Sequence, residues 1–195
     1  MKKIVRRCAA ALAAVTFVAP ALFTAAERTA TADVLQKKLT DAQVLGVFNA
    51  VNDGFIAQSR LLTDSKNSDV KDLAQQIVSD HRDVKQNLQE FAKNHKMTPS
   101  EPPQANKIRE STNQSVARLK KLSGADLDRT YVDMMVGEYK DRISLIDQQV
   151  LPSISNEDLK EQITSSVRPE LVDNQKRAQE VSQKLSGPPK PSAAR

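Results

Sequence analysis

The chain has 195 residues, the length of one domain with a short extension, and its formal net charge is +5. Five glycines, two tyrosines, five phenylalanines and no tryptophan argue against a turn-rich all-β fold and against a stacking platform for single-stranded nucleic acid. The single cysteine, Cys8, excludes a disulfide scaffold and a thiolate metal cluster, so the composition favours an all-α domain.

Residues 1–32 have the features of a cleaved secretory signal. A basic start precedes an apolar, alanine-rich stretch that carries no charge until Glu27. Small residues towards its end offer three cleavage points, after Ala21, Ala26 or Ala32. The alternative is an uncleaved membrane anchor, because the apolar stretch is just long enough to span a bilayer.

The predicted signal accounts for most of the positive charge. It carries five basic residues and one acidic residue, so cleavage after Ala32 leaves 24 basic and 23 acidic side chains. A chain so evenly balanced has no basic excess with which to displace counterions from nucleic acid. We therefore expect a periplasmic or otherwise exported protein with no nucleic-acid partner and no integral membrane segment after cleavage.

Two long amphipathic helices are predicted next, because apolar residues recur three and four positions apart. The first extends over residues 41–64 and begins at a T-x-x-Q capping box made by Thr40 and Gln43. The second extends over residues 69–95, and His81 lies within its apolar stripe.

A loop with three prolines, residues 96–103, ends the second helix. A weaker helix over residues 105–122 follows, and its periodicity leaves open whether it begins the third long helix or is a separate piece. The third helix extends to Val150 from an S-x-x-D cap at residues 123–126. Tyr139 lies in its apolar stripe.

The fourth helix is predicted over residues 157–185, with Ser155 and Asp158 as its cap. Asn174 lies in register with the apolar stripe of this helix. Pro169 is expected to kink the helix or to restart it, because proline cannot donate a backbone hydrogen bond.

These four segments and their short connections predict an antiparallel four-helix bundle over residues 33–186. Mutual burial of the apolar stripes supplies the stability that each helix lacks alone. Residues 187–195 follow as a short, flexible, basic tail, and binding to the cell envelope through this tail is one functional hypothesis.

Two segments that lie 58 residues apart, 77–83 and 135–141, share one pattern: apolar, valine, small, acid, ring, base, aspartate. A duplicated helical hairpin would explain the repeat, as would chance similarity between charged helices. In each copy an acid directly precedes a residue on the apolar stripe, and the last helix has a looser version. The pairs are Asp80-His81, Glu138-Tyr139 and Asp173-Asn174.

Several short motifs follow one another between Leu39 and Leu185. They are Asn67-x-x-Val70-Lys71-x-x-Ala74, Ile77-Val78-x-Asp80-His81, Leu122-x-Gly124-x-x-Leu127-Asp128-x-x-Tyr131-Val132, Met135-Val136 and Pro169-x-Leu171. Their order and spacing resemble those of an exported, ferritin-like family called domain of unknown function 4142. The resemblance implies a ferritin-like four-helix bundle outside the cytoplasm, and it implies no established reaction.

The chain departs from this family pattern at the residues that follow the acids. The resemblance implies a histidine at each of three positions. This chain has histidine at the first position, His81, but Tyr139 at the second and Asn174 at the third. It also lacks the glutamate that family members often carry near residues 55–58. We therefore expect His81, Tyr139 and Asn174 to form a hydrogen-bonded polar layer in the core that fixes the register of the helices.

A metal site is the alternative use of the same positions. A ferritin-type di-iron site needs inward carboxylates and paired E-x-x-H motifs, and this chain has no E-x-x-H. Each candidate acid is placed about 100° around its helix from the apolar stripe, so we favour the polar layer and expect no cofactor. The candidates for a mixed metal site are His81, Asp80, Glu138 and Asp173, with Tyr139 beside them.

Together these features predict an exported, non-catalytic helical bundle that acts as a binding, structural or stress protein of the cell envelope. Its partner would be a protein or another envelope component. The sequence contains no glycine-rich phosphate loop and no G-x-S-x-G motif. The alternative is a metal-binding or ferroxidase-like bundle with a degenerate ligand set.

Overall fold

The computed structural model describes residues 38–187, and within this range helices account for 82% of the residues and there is no β-strand. The prediction of an all-α domain is confirmed for these residues. The predicted signal and residues 188–195 of the predicted tail lie outside the described range. Among residues 38–187, no helix combines the length and the apolar character needed to cross a membrane.

Six α-helices follow one another, and short helical turns of other types extend or join them. A π-helical turn, Ile146–Val150, and a short 3₁₀ turn, Leu151–Ser153, continue the fourth helix. A second π-helical turn, Ile163–Val167, joins the fifth helix to the sixth without a break. The helices are α1 Asp41–Ser59, α2 Ser68–Asn94, α3 Pro103–Leu119, α4 Gly124–Leu145, α5 Glu157–Gln162 and α6 Arg168–Ser186.

The start of α1 follows the prediction, but its end does not. The Thr40 hydroxyl accepts from the backbone N–H of Gln43, and the Gln43 side chain accepts from the backbone N–H of Thr40, so the capping box is confirmed. The predicted helical end at Asp64 is wrong, because α1 stops at Ser59 and gives way to tight turns. There the N–H of Leu62 donates to the Ser59 carbonyl.

The segment that periodicity could not place is a separate helix, α3, with Pro103 in its first turn. The S-x-x-D cap predicted for the next helix is wrong, because the Ser123 side chain makes no capping hydrogen bond. Gly124, the first residue of α4, has a φ of 56°, a left-handed conformation that glycine adopts without strain.

The last helical segment also begins with a cap other than the predicted one. The Asn156 side chain, and not Ser155 or Asp158, accepts from the backbone N–H of Leu159 at 2.9 Å. Pro169 lies in the first turn of α6, directly after the π-helical turn, so the helix changes type before the proline and does not break. Proline lacks an N–H, so the wider turn before it accommodates the missing backbone hydrogen bond.

The buried core is formed by the apolar stripes of all the long helices. α1 packs against α2, α3 and α4, while α6 packs against α2 and α4, and α3 also contacts α4. The largest fully buried side chains include both tyrosines and two phenylalanines of α1. These four side chains are Tyr131, Tyr139, Phe48 and Phe55.

Candidate functional site

A layer of aromatic and polar side chains crosses the middle of the core, and we call Asn52, Phe55, His81 and Tyr139 the central layer. α1 supplies Asn52 and Phe55, α2 supplies His81, and α4 supplies Tyr139. Each residue of the central layer is at most 2% exposed to solvent, so the layer is closed to water.

The two ring nitrogens of His81 are both engaged inside the layer. His81 Nδ1 lies 2.7 Å from Asn52 Oδ1, and His81 Nε2 lies 3.0 Å from the Tyr139 hydroxyl. An amide oxygen only accepts, so Nδ1–H donates to Asn52 and the Tyr139 hydroxyl donates to Nε2. Burial lowers the pKa of His81 to about 3, which keeps the ring neutral, and the two hydrogen bonds select this tautomer.

Phe55 covers one face of this hydrogen-bonded pair. Its ring stacks on Tyr139 with centroids 4.2 Å apart and on His81 with centroids 4.5 Å apart. Burial raises the pKa of Tyr139 well above its ordinary value, and the carboxylates of Asp80, Glu170 and Glu138 add to the rise. Tyr139 is therefore a neutral hydrogen-bond donor at any physiological pH.

The structure brings His81 and Tyr139 together, but it does not bring Asn174 into hydrogen-bond contact with them. Asn174 is fully buried on α6, and its Oδ1 accepts from Arg177 at 3.2 Å. Asn52 takes the place that was predicted for Asn174. Sequence reasoning could have found Asn52, because it lies four residues after Phe48 and three before Phe55 and so belongs to the buried face of α1.

The acids proposed as metal ligands lie at separate places. Asp80 accepts from Gln76 at 2.6 Å and from Arg177 at 3.3 Å, whereas Asp173 is largely exposed beside Lys176. Glu138 faces α1 and α3 instead. Within residues 38–187, no group of three or more histidine, cysteine or acidic side chains is arranged to hold a metal ion.

Glu138 is the centre of a second polar contact that sequence reasoning missed. Its two carboxylate oxygens accept from Nε2 of Gln58, each at 3.1 Å, and one also accepts from Ser115 at 3.2 Å. Gln58 is fully buried, and its Oε1 has no hydrogen-bond partner among the described side chains. This contact ties α1, α3 and α4 together beside the central layer.

A third feature lies between α2 and α6, where Glu170 is half-buried. One of its carboxylate oxygens, Oε1, is buried without a hydrogen-bond partner among the described residues. Burial and the nearby carboxylates of Asp80 and Asp83 raise the pKa of Glu170 to about 7, and Arg177 partly opposes this rise. Glu170 therefore changes its charge near neutral pH.

Comparison with known proteins assigns the chain to a family. A family model described as Domain of unknown function (DUF4142) matches residues 24–181, a span that contains the whole central layer. No curated protein and no solved structure gives a significant match. The resemblance noted in the sequence is thereby confirmed, and the chain belongs to the DUF4142 family.

Proposed function

We propose that this protein is an exported, non-catalytic helical bundle that supports the cell envelope by binding another envelope component or by a structural role. One observation carries the proposal. The central layer engages both nitrogens of His81 and the hydroxyl of Tyr139 in internal hydrogen bonds, and none of these groups is presented to a substrate. Such a layer restricts how the helices pack, because an alternative packing would leave His81 and Tyr139 without their hydrogen-bond partners.

The bundle in this proposal consists of α1, α2, α4 and α6, with each helix antiparallel to its two neighbours. Side-chain contacts support this arrangement, because higher residue numbers on one helix meet lower numbers on the next. Between α4 and α6, for example, Asp133 contacts Ser182 and Asp147 contacts Arg168. Between α2 and α6 the pairs are Asp69–Lys184 and Asp80–Arg177. Between α1 and α4 they are Phe55–Tyr139 and Ser59–Tyr131. Between α1, with the turn that follows it, and α2 they are Asn52–His81 and Thr63–Gln75.

The connection between the two halves favours a ferritin-like topology for this bundle. In ferritin-like folds one long crossover separates two helical hairpins. Here α1 and α2 form one hairpin, α4 and α6 form the other, and α3 lies in the connection between them and packs along α1. The pattern shared by residues 77–83 and 135–141 falls on α2 and α4, the second and third helices of this bundle.

Export is the part of the proposal that depends on residues 1–32. Their basic start, apolar stretch and small residues support secretion. Cleavage after Ala21 would keep the entire span matched by the family model in the mature chain, whereas cleavage after Ala32 would remove its first residues.

The test combines fractionation, intact mass and a cellular readout. We expect the untagged protein in the exported fraction, with a mass that corresponds to a start after Ala21, Ala26 or Ala32. A deletion strain should lose tolerance to envelope stress, and the wild-type gene should restore it. Full-length protein in the cytosol would refute export, and a deletion strain that keeps its full tolerance would refute a role in the envelope.

Elemental analysis of the same preparation tests the competing metal hypothesis. A metal bound at His81 Nε2 would have to displace the hydrogen bond from Tyr139. We therefore expect no stoichiometric metal in the purified protein. Iron, zinc or copper present in stoichiometric amount in the wild type and absent from His81→Ala would contradict the proposal.

A further inference from the structure

The hydrogen bond between Tyr139 and His81 joins a phenol to a base inside a dry core. The Tyr139 hydroxyl lies 3.0 Å from Nε2 of His81, within the range of about 2.6–3.2 Å in which a general base takes a proton. Nδ1 of the same ring donates to Asn52, so Nε2 carries the free electron pair. The geometry for proton transfer from phenol to imidazole is therefore in place before any reaction.

The second tyrosine of the chain provides an internal comparison. Tyr131 lies on the same helix and is as fully buried as Tyr139. Its hydroxyl donates to Oγ of Ser59 at 2.8 Å, and a serine hydroxyl is not a base at physiological pH. The two tyrosines share their burial and their helix, and they differ in whether the phenolic proton has an acceptor.

Part of the hydrogen bonding in the central layer is kept when the proton moves to His81. The amide oxygen of Asn52 would continue to accept from Nδ1–H of the imidazolium. The carboxylates of Asp80, Glu138 and Glu170 act on Tyr139 through their negative charge, and they lie on the helices around the layer. Burial disfavours the imidazolium, so His81 holds the proton only while Tyr139 is oxidised.

We propose that Tyr139 is a redox-active tyrosine, which gives one electron to an external one-electron oxidant of the peroxyl-radical class while its phenolic proton moves to Nε2 of His81. The O–H bond of Tyr139 breaks and an N–H bond forms on His81. Tyr139 becomes a neutral tyrosyl radical and His81 becomes an imidazolium ion. The peroxyl radical is reduced to a hydroperoxide anion, which takes a proton from water.

Burial explains why electron and proton must move together at this residue. The pKa of Tyr139 is raised well above its ordinary value, so the easily oxidised phenolate is not available. The core offers no solvent to receive the proton, whereas His81, with its pKa lowered to about 3, is neutral and able to accept it. Because Tyr139 has no exposed surface, the electron must cross the surrounding protein to reach the oxidant.

The composition of the chain makes this proposal simple to test. The sequence holds two tyrosines and no tryptophan, so a Tyr131→Phe variant contains Tyr139 as its sole phenol. Photogenerated tris(bipyridine)ruthenium(III) supplies a one-electron oxidant to the purified protein, and electron paramagnetic resonance detects the tyrosyl radical. Peroxyl radicals from a thermal azo initiator provide the second oxidant.

We expect the same radical signal from the wild type and from Tyr131→Phe, and loss of the signal in Tyr139→Phe. His81→Gln keeps a hydrogen-bond acceptor but removes the base, so its radical should form more slowly and in lower yield. Radical formation in the wild type should also be slower in D₂O than in H₂O, because the proton moves with the electron. Circular dichroism melts confirm that each variant is folded.

Three results would overturn the proposal. The first is the absence of a radical signal in Tyr131→Phe. This result does not depend on whether any Tyr139 variant folds. The second is equal rates and yields in the wild type and His81→Gln together with equal rates in H₂O and D₂O. The third is a signal with ruthenium and none with peroxyl radicals, which would refute the oxidant class.

Discussion

Gly46 of α1 lies directly against the backbone of Ser100, in the loop that follows α2. A Cβ atom at position 46 would lie 1.9 Å from the Ser100 carbonyl oxygen, which is much closer than any real contact. The same loop is fixed to α1 by the Ser100 N–H, which donates to the Ala42 carbonyl at 2.9 Å. The helix and the loop therefore approach each other through their backbones, and glycine is the residue that fits.

Gly46→Ala should lower the free energy of unfolding by about 1–3 kcal/mol, because the loop must move away from the added methyl group. Gly137→Ala in α4 is the matched control. Nothing lies within 4 Å of a Cβ atom there, so alanine should raise the free energy of unfolding by about 0.5–1 kcal/mol through its higher helix propensity. Urea unfolding followed by circular dichroism measures both changes, and a neutral Gly46→Ala would contradict the close approach.

Tyr139→Phe should lower the free energy of unfolding by about 1 kcal/mol or somewhat more, because it leaves Nε2 of His81 without a donor in the core. Tyr131→Phe should cost less. The Ser59 hydroxyl that loses its partner can turn to a backbone carbonyl of its own helix, an option that a buried imidazole nitrogen lacks. Chemical denaturation of the two variants side by side tests this order, and a larger loss for Tyr131→Phe would contradict it.

The lowered pKa of His81 predicts how stability depends on acid. The folded state releases the proton at about pH 3, while the unfolded chain has the ordinary value of 6.5, so the unfolded state binds more protons between these limits. The contribution is fully present above pH 6.5 and is lost as the pH falls towards 3, with a steepest slope of about 1.4 kcal/mol per pH unit. The free energy of unfolding should depend less steeply on pH in this range for His81→Gln than for the wild type. An unchanged slope would refute the lowered pKa of His81.

The raised pKa of Glu170 acts in the opposite direction. Between the ordinary value of 4.5 and the folded value of about 7, the folded state binds more protons than the unfolded chain. Stability from this group is therefore gained as the pH falls from 7 to 4.5 and lost as the pH rises through 7. Glu170→Gln should raise the melting temperature at pH 8 relative to the wild type. The variant should also lose the fall in stability that the wild type shows as the pH rises through 7. A lower melting temperature for the variant at pH 8 would contradict the raised pKa.

The helices could be predicted from the sequence because their burial is periodic. In α2, Ile77, His81, Val84 and Leu88 recur at the spacing of one helical face, and all four are buried. The end of α1 and the separate identity of α3 could not be predicted in this way. Both depend on tertiary contacts, such as the packing of α3 against α1, which a local pattern does not contain.

The membership of the central layer can be recognised from the sequence, whereas the pairing of Asn52 with His81 cannot. His81 and Tyr139 interrupt apolar stripes, and an interruption of this kind predicts a buried polar group. Asn52 and Gln58 are harder to recognise as buried, because polar side chains on a helix are ordinarily solvated. Glu138 was placed at the side of the apolar stripe, and that position lets its carboxylate reach Gln58 on α1.

The π-helical turn Ile163–Val167 has a consequence for the length of the last helical segment. Core residues Leu159, Ile163, Val167 and Leu171 are all four positions apart, and on a regular α-helix three such steps would rotate the stripe by about 120°. The wider turn absorbs this rotation, so both ends of the segment face the same core. The π-helical turn therefore contains one residue more than a regular α-helix needs. Deletion of a single residue within it would convert it to regular α-helix and keep Leu159 and Leu171 on the same face to within about 20°.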